Sequence, residues 1–127
     1  MLFHTSLRPY WFALFLLTSA STFAFGQMTP DEQAVLLLGS GRLAFQDGEY
    51  AVAGQRFQEF VTKFGAHPQV HSARFGWGLS LLNTTPADEV KAAEVLSQVA
   101  DKADFPDQPL ANYYLGLAVR QQGHKAL

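Results

Sequence analysis

The chain has 127 residues, no cysteine, and nine Lys+Arg against 11 Asp+Glu, for a net charge of −2. Without cysteine a disulfide framework is excluded and no thiol is available to carry a lipid, so stability has to come from packing. The charges are scattered with no basic run, which argues against nucleic acid and anionic membrane surfaces as partners.

The first element reads as a targeting segment. Arg8 and His4 precede an apolar run, "YWFALFLL", and small and polar residues follow in "TSASTFAFGQ", with Ala24 and Gly26 placed three and one before a cut at Gln27. This is the three-part layout of a secretory signal peptide. It divides the chain into a signal peptide, 1–26, and one exported domain, 27–127, expected in the periplasm or outside the cell. An uncleaved Trp11–Phe25 anchor is the alternative, and would make the protein a membrane-tethered adaptor.

Helix signals follow in order. Thr29-Pro30-Asp31-Glu32 is a capping box with proline at the first helical position, and the helix runs through "AVLLLGSGRLAF" until Asp47-Gly48 supplies a left-handed turn. In "YAVAGQRFQEFVTKF" the apolar residues Ala53, Phe57, Phe60, Val61 and Phe64 share one helical face. "HSARFGWGLSLL" is a third helix. Thr85-Pro86-Ala87-Asp88 is read as another cap with proline at the first position, starting a fourth helix in which Ala92, Leu96 and Val99 repeat the spacing of the second. After Pro106 and Pro109 comes "PLANYYLGLAVRQQG", expected to turn at Gly123. No segment alternates with period two, so the fold class is all-α.

One stretch offers a competing function. Gly39-Ser40-Gly41-Arg42-Leu43-Ala44 is G-x-G-x-x-A, with Glu59 twenty positions after Gly39, the outline of a nucleotide-binding turn and hence of an enzyme. That turn needs a strand before its glycines, whereas the Thr29 cap sends a helix through them. The glycines also recur: Gly41, Gly78 and Gly116 are 37 and 38 residues apart. A phosphate cradle would not require this recurrence. Packing would, if a second helix crosses the first closely at each glycine, and a period of this size with two helices per unit marks a helical solenoid.

At these residues the chain resembles the tetratricopeptide (TPR) family, particularly its secreted bacterial members. "ARFGWG" and "ANYYLG" match the family's first helix, Gly48-Glu49-Tyr50-Ala51-Val52-Ala53 its turn, and Phe57 the aromatic four residues after that alanine. The resemblance covers about residues 30–127 and implies about two and a half helical-hairpin repeats, the third lacking its second helix. It further implies a protein- or peptide-binding scaffold whose first helices line a concave groove, of the kind that serves in envelope assembly or division complexes.

The groove is expected on the side away from the glycine contacts. The offsets select Arg42, Phe45, Gln46, Leu79, Asn83, Tyr113, Leu117, Arg120 and Gln121, a mixture of cations, amides and flat apolar surfaces suited to peptide recognition. No catalytic, metal or cofactor constellation is assigned. His67 and His71 are four apart, but Pro68 separates them at a helix start, and Asp31-Glu32 and Asp88-Glu89 sit where acids complement a helix N-terminus. The incomplete third unit leads to a further expectation: a truncated product, or a fragment that pairs with itself or with a partner through the C-terminal end.

Overall fold

The computed structural model describes residues 26–127, which leaves the signal-peptide and anchor readings outside it except for Gly26. These residues form five helices and no strand: α1 Pro30–Gln46, α2 Tyr50–Lys63, α3 Val70–Asn83, α4 Glu89–Ala100 and α5 Gln108–Lys125. Each helix packs on the next in sequence. In addition α1 touches α3 and α3 touches α5, while α2 and α4 do not touch. Among the described residues no helix is long and apolar enough to cross a membrane.

The start of α1 is the capping box that its sequence encodes. The Glu32 amide donates to Thr29 Oγ1 at 3.2 Å, and the Thr29 amide donates to Glu32 Oε2 at 2.7 Å. Asp31 is not only a capping charge, because its carboxylate also holds His67 Nε2 at 2.9 Å. His67 Nδ1 in turn accepts from the Gln69 amide at 3.1 Å, which occupies both ring nitrogens in fixing the α2–α3 connection. At the far end Gly48 takes φ +79°, and the Gly48 and Glu49 amides donate back to the Phe45 and Ala44 carbonyls. That pair of reverse bonds lets the chain fold back without orphaned carbonyls. Tyr50 then meets Phe45 edge-on at 5.1 Å.

Glycines set how closely the helices approach. A Cβ on Gly41 would lie 2.8 Å from the Phe57 ring, one on Gly76 would lie 2.7 Å from it, and one on Gly78 would lie 2.5 Å from Leu96 Cγ. Phe57, from α2, is therefore wedged between α1 and α3 in two glycine notches. Gly116 departs from this pattern, since nothing lies within 4 Å of its added Cβ. Its helix face is uncovered because no described helix follows α5.

Two helix ends also depart from expectation. α4 starts at Glu89, capped by Asp88, whose Oδ1 accepts from the Lys91 amide at 3.0 Å; Thr85 and Pro86 belong to the connection before it. An aspartate one residue from the helix reaches the free amide, and Thr85 is a full turn too early. Gly123 is not a turn but lies inside α5, which continues to Lys125. At Gly48 the reversal is held by the helix packed behind it; at Gly123 none of the described helices packs in that place, and the helical hydrogen bonds continue.

α5 buries only Ala111 and Ala118 fully, so polar bonds supply part of its hold on α4. The Gln108 and Asn112 amides both donate to the Ala100 carbonyl, at 2.9 and 3.0 Å, and Gln122 Nε2 donates to the Glu89 carbonyl at 2.9 Å. Lys125 Nζ lies 2.7 Å from the Glu89 carboxylate, which is largely shielded from solvent. The Lys125 hydrogen bond, chiefly, holds the Glu89 carboxyl below its ordinary value of 4.5. A group with a depressed folded-state pKa stabilises fully above its unfolded value and loses that contribution as pH falls through the folded value. Acidification below about pH 4.5 should therefore loosen α5 from α4. Melting temperatures measured across the acid range should fall less steeply for Glu89→Gln than for wild type, and parallel curves would remove this pair from the stability account.

Candidate binding cleft between α1 and α3

Because Phe57 props α1 and α3 apart, the two helices leave a cleft of about 240 Å³ above its ring. Arg42, Phe45 and Gln46 of α1 line one wall, and Ser72, Phe75, Gly76 and Leu79 of α3 line the other. Phe57 contributes the floor, and Asp107, from the turn before α5, closes one side. Gly76 matters twice here. It admits the Phe57 ring, and its bare backbone keeps the α3 wall low.

The walls are apolar and the rim is charged. Phe45 and Leu79 are half-buried and Phe75 packs against Phe105 at 5.8 Å, so these side chains are held in place before any ligand arrives. Arg42 and Asp107 are exposed, and neither has an ion-pair partner among the described residues. A cation and an anion thus border one aromatic depression, neither of them bonded through its side chain among the described residues. That arrangement can hold an apolar side chain inside while Arg42 takes a carboxylate or carbonyl, an Arg contact that is stronger when the acceptor is charged.

The nine residues selected by the glycine offsets fall into different places. Arg42, Phe45, Gln46 and Leu79 come together in this cleft. Tyr113, Leu117 and Arg120 line a separate shallow depression on α5 with Asn112 and Gly116. Asn83 lies at the end of α3 and donates to the Leu79 carbonyl at 2.7 Å, and Gln121 is half-buried on α5. Phe57, Ser72, Phe75, Gly76 and Asp107 line the cleft without being among those nine. Ser72 lies seven residues before Leu79 on the same face, so helical periodicity marks it, whereas Asp107 is a loop residue that no periodicity reaches.

The nucleotide-turn motif has a clear structural setting. Gly39, Ser40 and Gly41 lie inside α1, and Ser40 Oγ donates to the Leu37 carbonyl of its own helix at 2.8 Å. Among the described residues there is no strand before these glycines and no loop at them, so their amides point along a continuing helix. No group of three or more His, Asp and Glu residues is arranged to hold a metal among the described residues.

Comparison of the chain with family models, with curated proteins and with solved structures finds no match.

Proposed function

We propose that this protein is an exported scaffold of TPR-like helical hairpins that binds an extended segment of another protein in the α1–α3 cleft. The observation that carries the reading is the cleft itself: an apolar depression with a preset aromatic floor and the exposed Arg42 and Asp107 at its rim. The packing of the helices agrees with a curved stack. α1 touches α3 and α3 touches α5, while α2 and α4 do not touch, which supports reading the odd-numbered helices, and the cleft, as the inner side of such a stack. The preferred ligand is a peptide with an apolar side chain for the cleft and a carboxylate for Arg42.

The reading is tested by selecting binders from a random peptide library displayed with free C-termini. Enriched sequences should pair an apolar residue with a nearby carboxylate, either side-chain or terminal. Arg42→Glu should weaken the selected peptides by roughly 10- to 100-fold, the loss of one charge-assisted hydrogen bond left facing a like charge. Its melting temperature should not change, because Arg42 is exposed and makes no ion pair among the described residues. Unchanged affinity in Arg42→Glu would remove this arginine from the site, and no enrichment at all would remove the cleft.

A further inference from the structure

Asp107 borders the α1–α3 cleft and also stands immediately before α5, where an aspartate ordinarily accepts a bond from the second or third amide of the helix. α1 and α4 use their capping residues in this way: Thr29 accepts from the Glu32 amide at 3.2 Å, and Asp88 from the Lys91 amide at 3.0 Å. The Asp107 side chain makes no such bond among the described residues. The local sequence removes the donors. The Gln108 amide is already bonded to the Phe105 carbonyl at 3.0 Å, and Pro109, second in the helix, has no N–H. The backbone of Asp107 is itself close to helical, at φ −92° and ψ 17°, whereas Thr29 caps from an extended backbone at ψ 156°.

The turn is nonetheless fixed. Pro106 and Pro109 flank it, and the Gln108 side chain donates to the Ala100 carbonyl at 2.9 Å. The Asp107 carboxylate is therefore held at the rim of the cleft, committed neither to its own helix nor to a cation among the described residues. Arg42 borders the same cleft, and the two make no ion pair with each other. A segment lying between them meets a cation from α1 and an anion from the turn before α5.

From this uncommitted carboxylate we infer that Asp107 sets the specificity of the cleft, selecting segments that carry a lysine or arginine beside the apolar residue and the carboxylate. The inference rests on the reading of the cleft as a peptide site. A long basic side chain suits the place, because its aliphatic stem can lie on the apolar walls while its head group reaches the exposed carboxylate. A charge-assisted bond to a carboxylate on a fixed turn costs little ordering. Asp107 also repels the purely acidic segments that Arg42 alone would accept, so it discriminates as well as attracts. Ser72 and Leu79 on the α3 wall are seven residues apart, a distance of about 10 Å that an extended segment covers in about three residues. Acid, apolar residue and base thus belong to one short motif.

Parallel selections from one random peptide library, against the full-length wild type and full-length Asp107→Lys, test the assignment. Wild-type binders should carry a lysine or arginine within about three residues of their acid. Asp107→Lys binders should carry a second acid in its place and keep the apolar residue and the carboxylate for Arg42. A peptide selected on the wild type should bind Asp107→Asn about three- to tenfold more weakly, the range for a partly exposed charge pair. Replacing that peptide's basic residue with alanine should weaken wild-type binding by a similar factor and have no further effect in Asp107→Asn. A merely structural role for Asp107 would leave the two selections with the same charges, and that result would overturn the inference. Wild-type binders with an apolar residue and an acid but no base would overturn it too, while leaving the cleft as a peptide site. No enrichment in either selection would overturn both.

Discussion

Phe57→Ala is expected to cost about 3–5 kcal/mol, the range for truncating a buried phenylalanine. The ring is 3% exposed and touches three helices, since it springs from α2 and fills the notches at Gly41 on α1 and Gly76 on α3. The surroundings cannot close over the space it leaves. Two of the positions facing it are glycines, with no side chain to rearrange, and α1 and α3 are fixed by their other contacts. A domain of this size has about 5–15 kcal/mol in total, so the variant should be partly unfolded near its physiological temperature. Urea melts followed by circular dichroism measure the effect. A loss below about 1 kcal/mol would mean that the ring is not the wedge between α1 and α3.

Gly78→Leu should destabilise by overpacking, by about 1–3 kcal/mol. Even the first carbon of the new side chain would lie 2.5 Å from Leu96 Cγ and 2.6 Å from its Cδ2. Leu96 is itself fully buried and has no free space to swing into, so α3 and α4 must separate. Gly39→Ala is the control on the same instrument. Nothing lies within 4 Å of the added methyl, and replacing a mid-helix glycine with alanine should stabilise by about 0.5–1 kcal/mol. Opposite signs for the two substitutions follow from where each glycine sits. Equal effects would show that both respond only to helix propensity.

The contrast between these glycines also shows what the sequence makes legible. The 37- and 38-residue spacing picks out Gly41 and Gly78, which meet the following helix, and it picks out Gly116 as well, which meets nothing. Spacing reports a repeated position, and only the chain folded behind that position decides whether it is covered. Gly76 stands outside that spacing because it faces the preceding helix, where Phe57 fills it. The offset is no guide to it either: Gly39 stands two before Gly41 as Gly76 stands two before Gly78, yet Gly39 meets nothing within 4 Å while Gly76 receives Phe57.

Local chemistry was readable where a residue acts on its own neighbourhood. Thr29 and Glu32 cap α1, and Ala53, Phe57 and Phe60 form the buried face of α2, because both features depend on residues a turn apart. α3 packs against both α2 and α4, so its apolar residues surround the axis and no single face stands out. The cleft was half legible for the same reason. Arg42, Phe45 and Gln46 follow from one helix's geometry, while Asp107 arrives from a turn 65 residues later and only tertiary packing brings it there.

The central claim is that the α1–α3 cleft holds a peptide, and mapping amide chemical shifts as a library-selected peptide is added tests it most directly. The account predicts that the largest changes cluster at Arg42, Gln46, Ser72, Gly76 and Leu79, with α2 and α4 surface residues such as Gln55 and Gln98 unmoved. Changes concentrated on the outer faces of α2 and α4, or along α5 with the cleft silent, would contradict it.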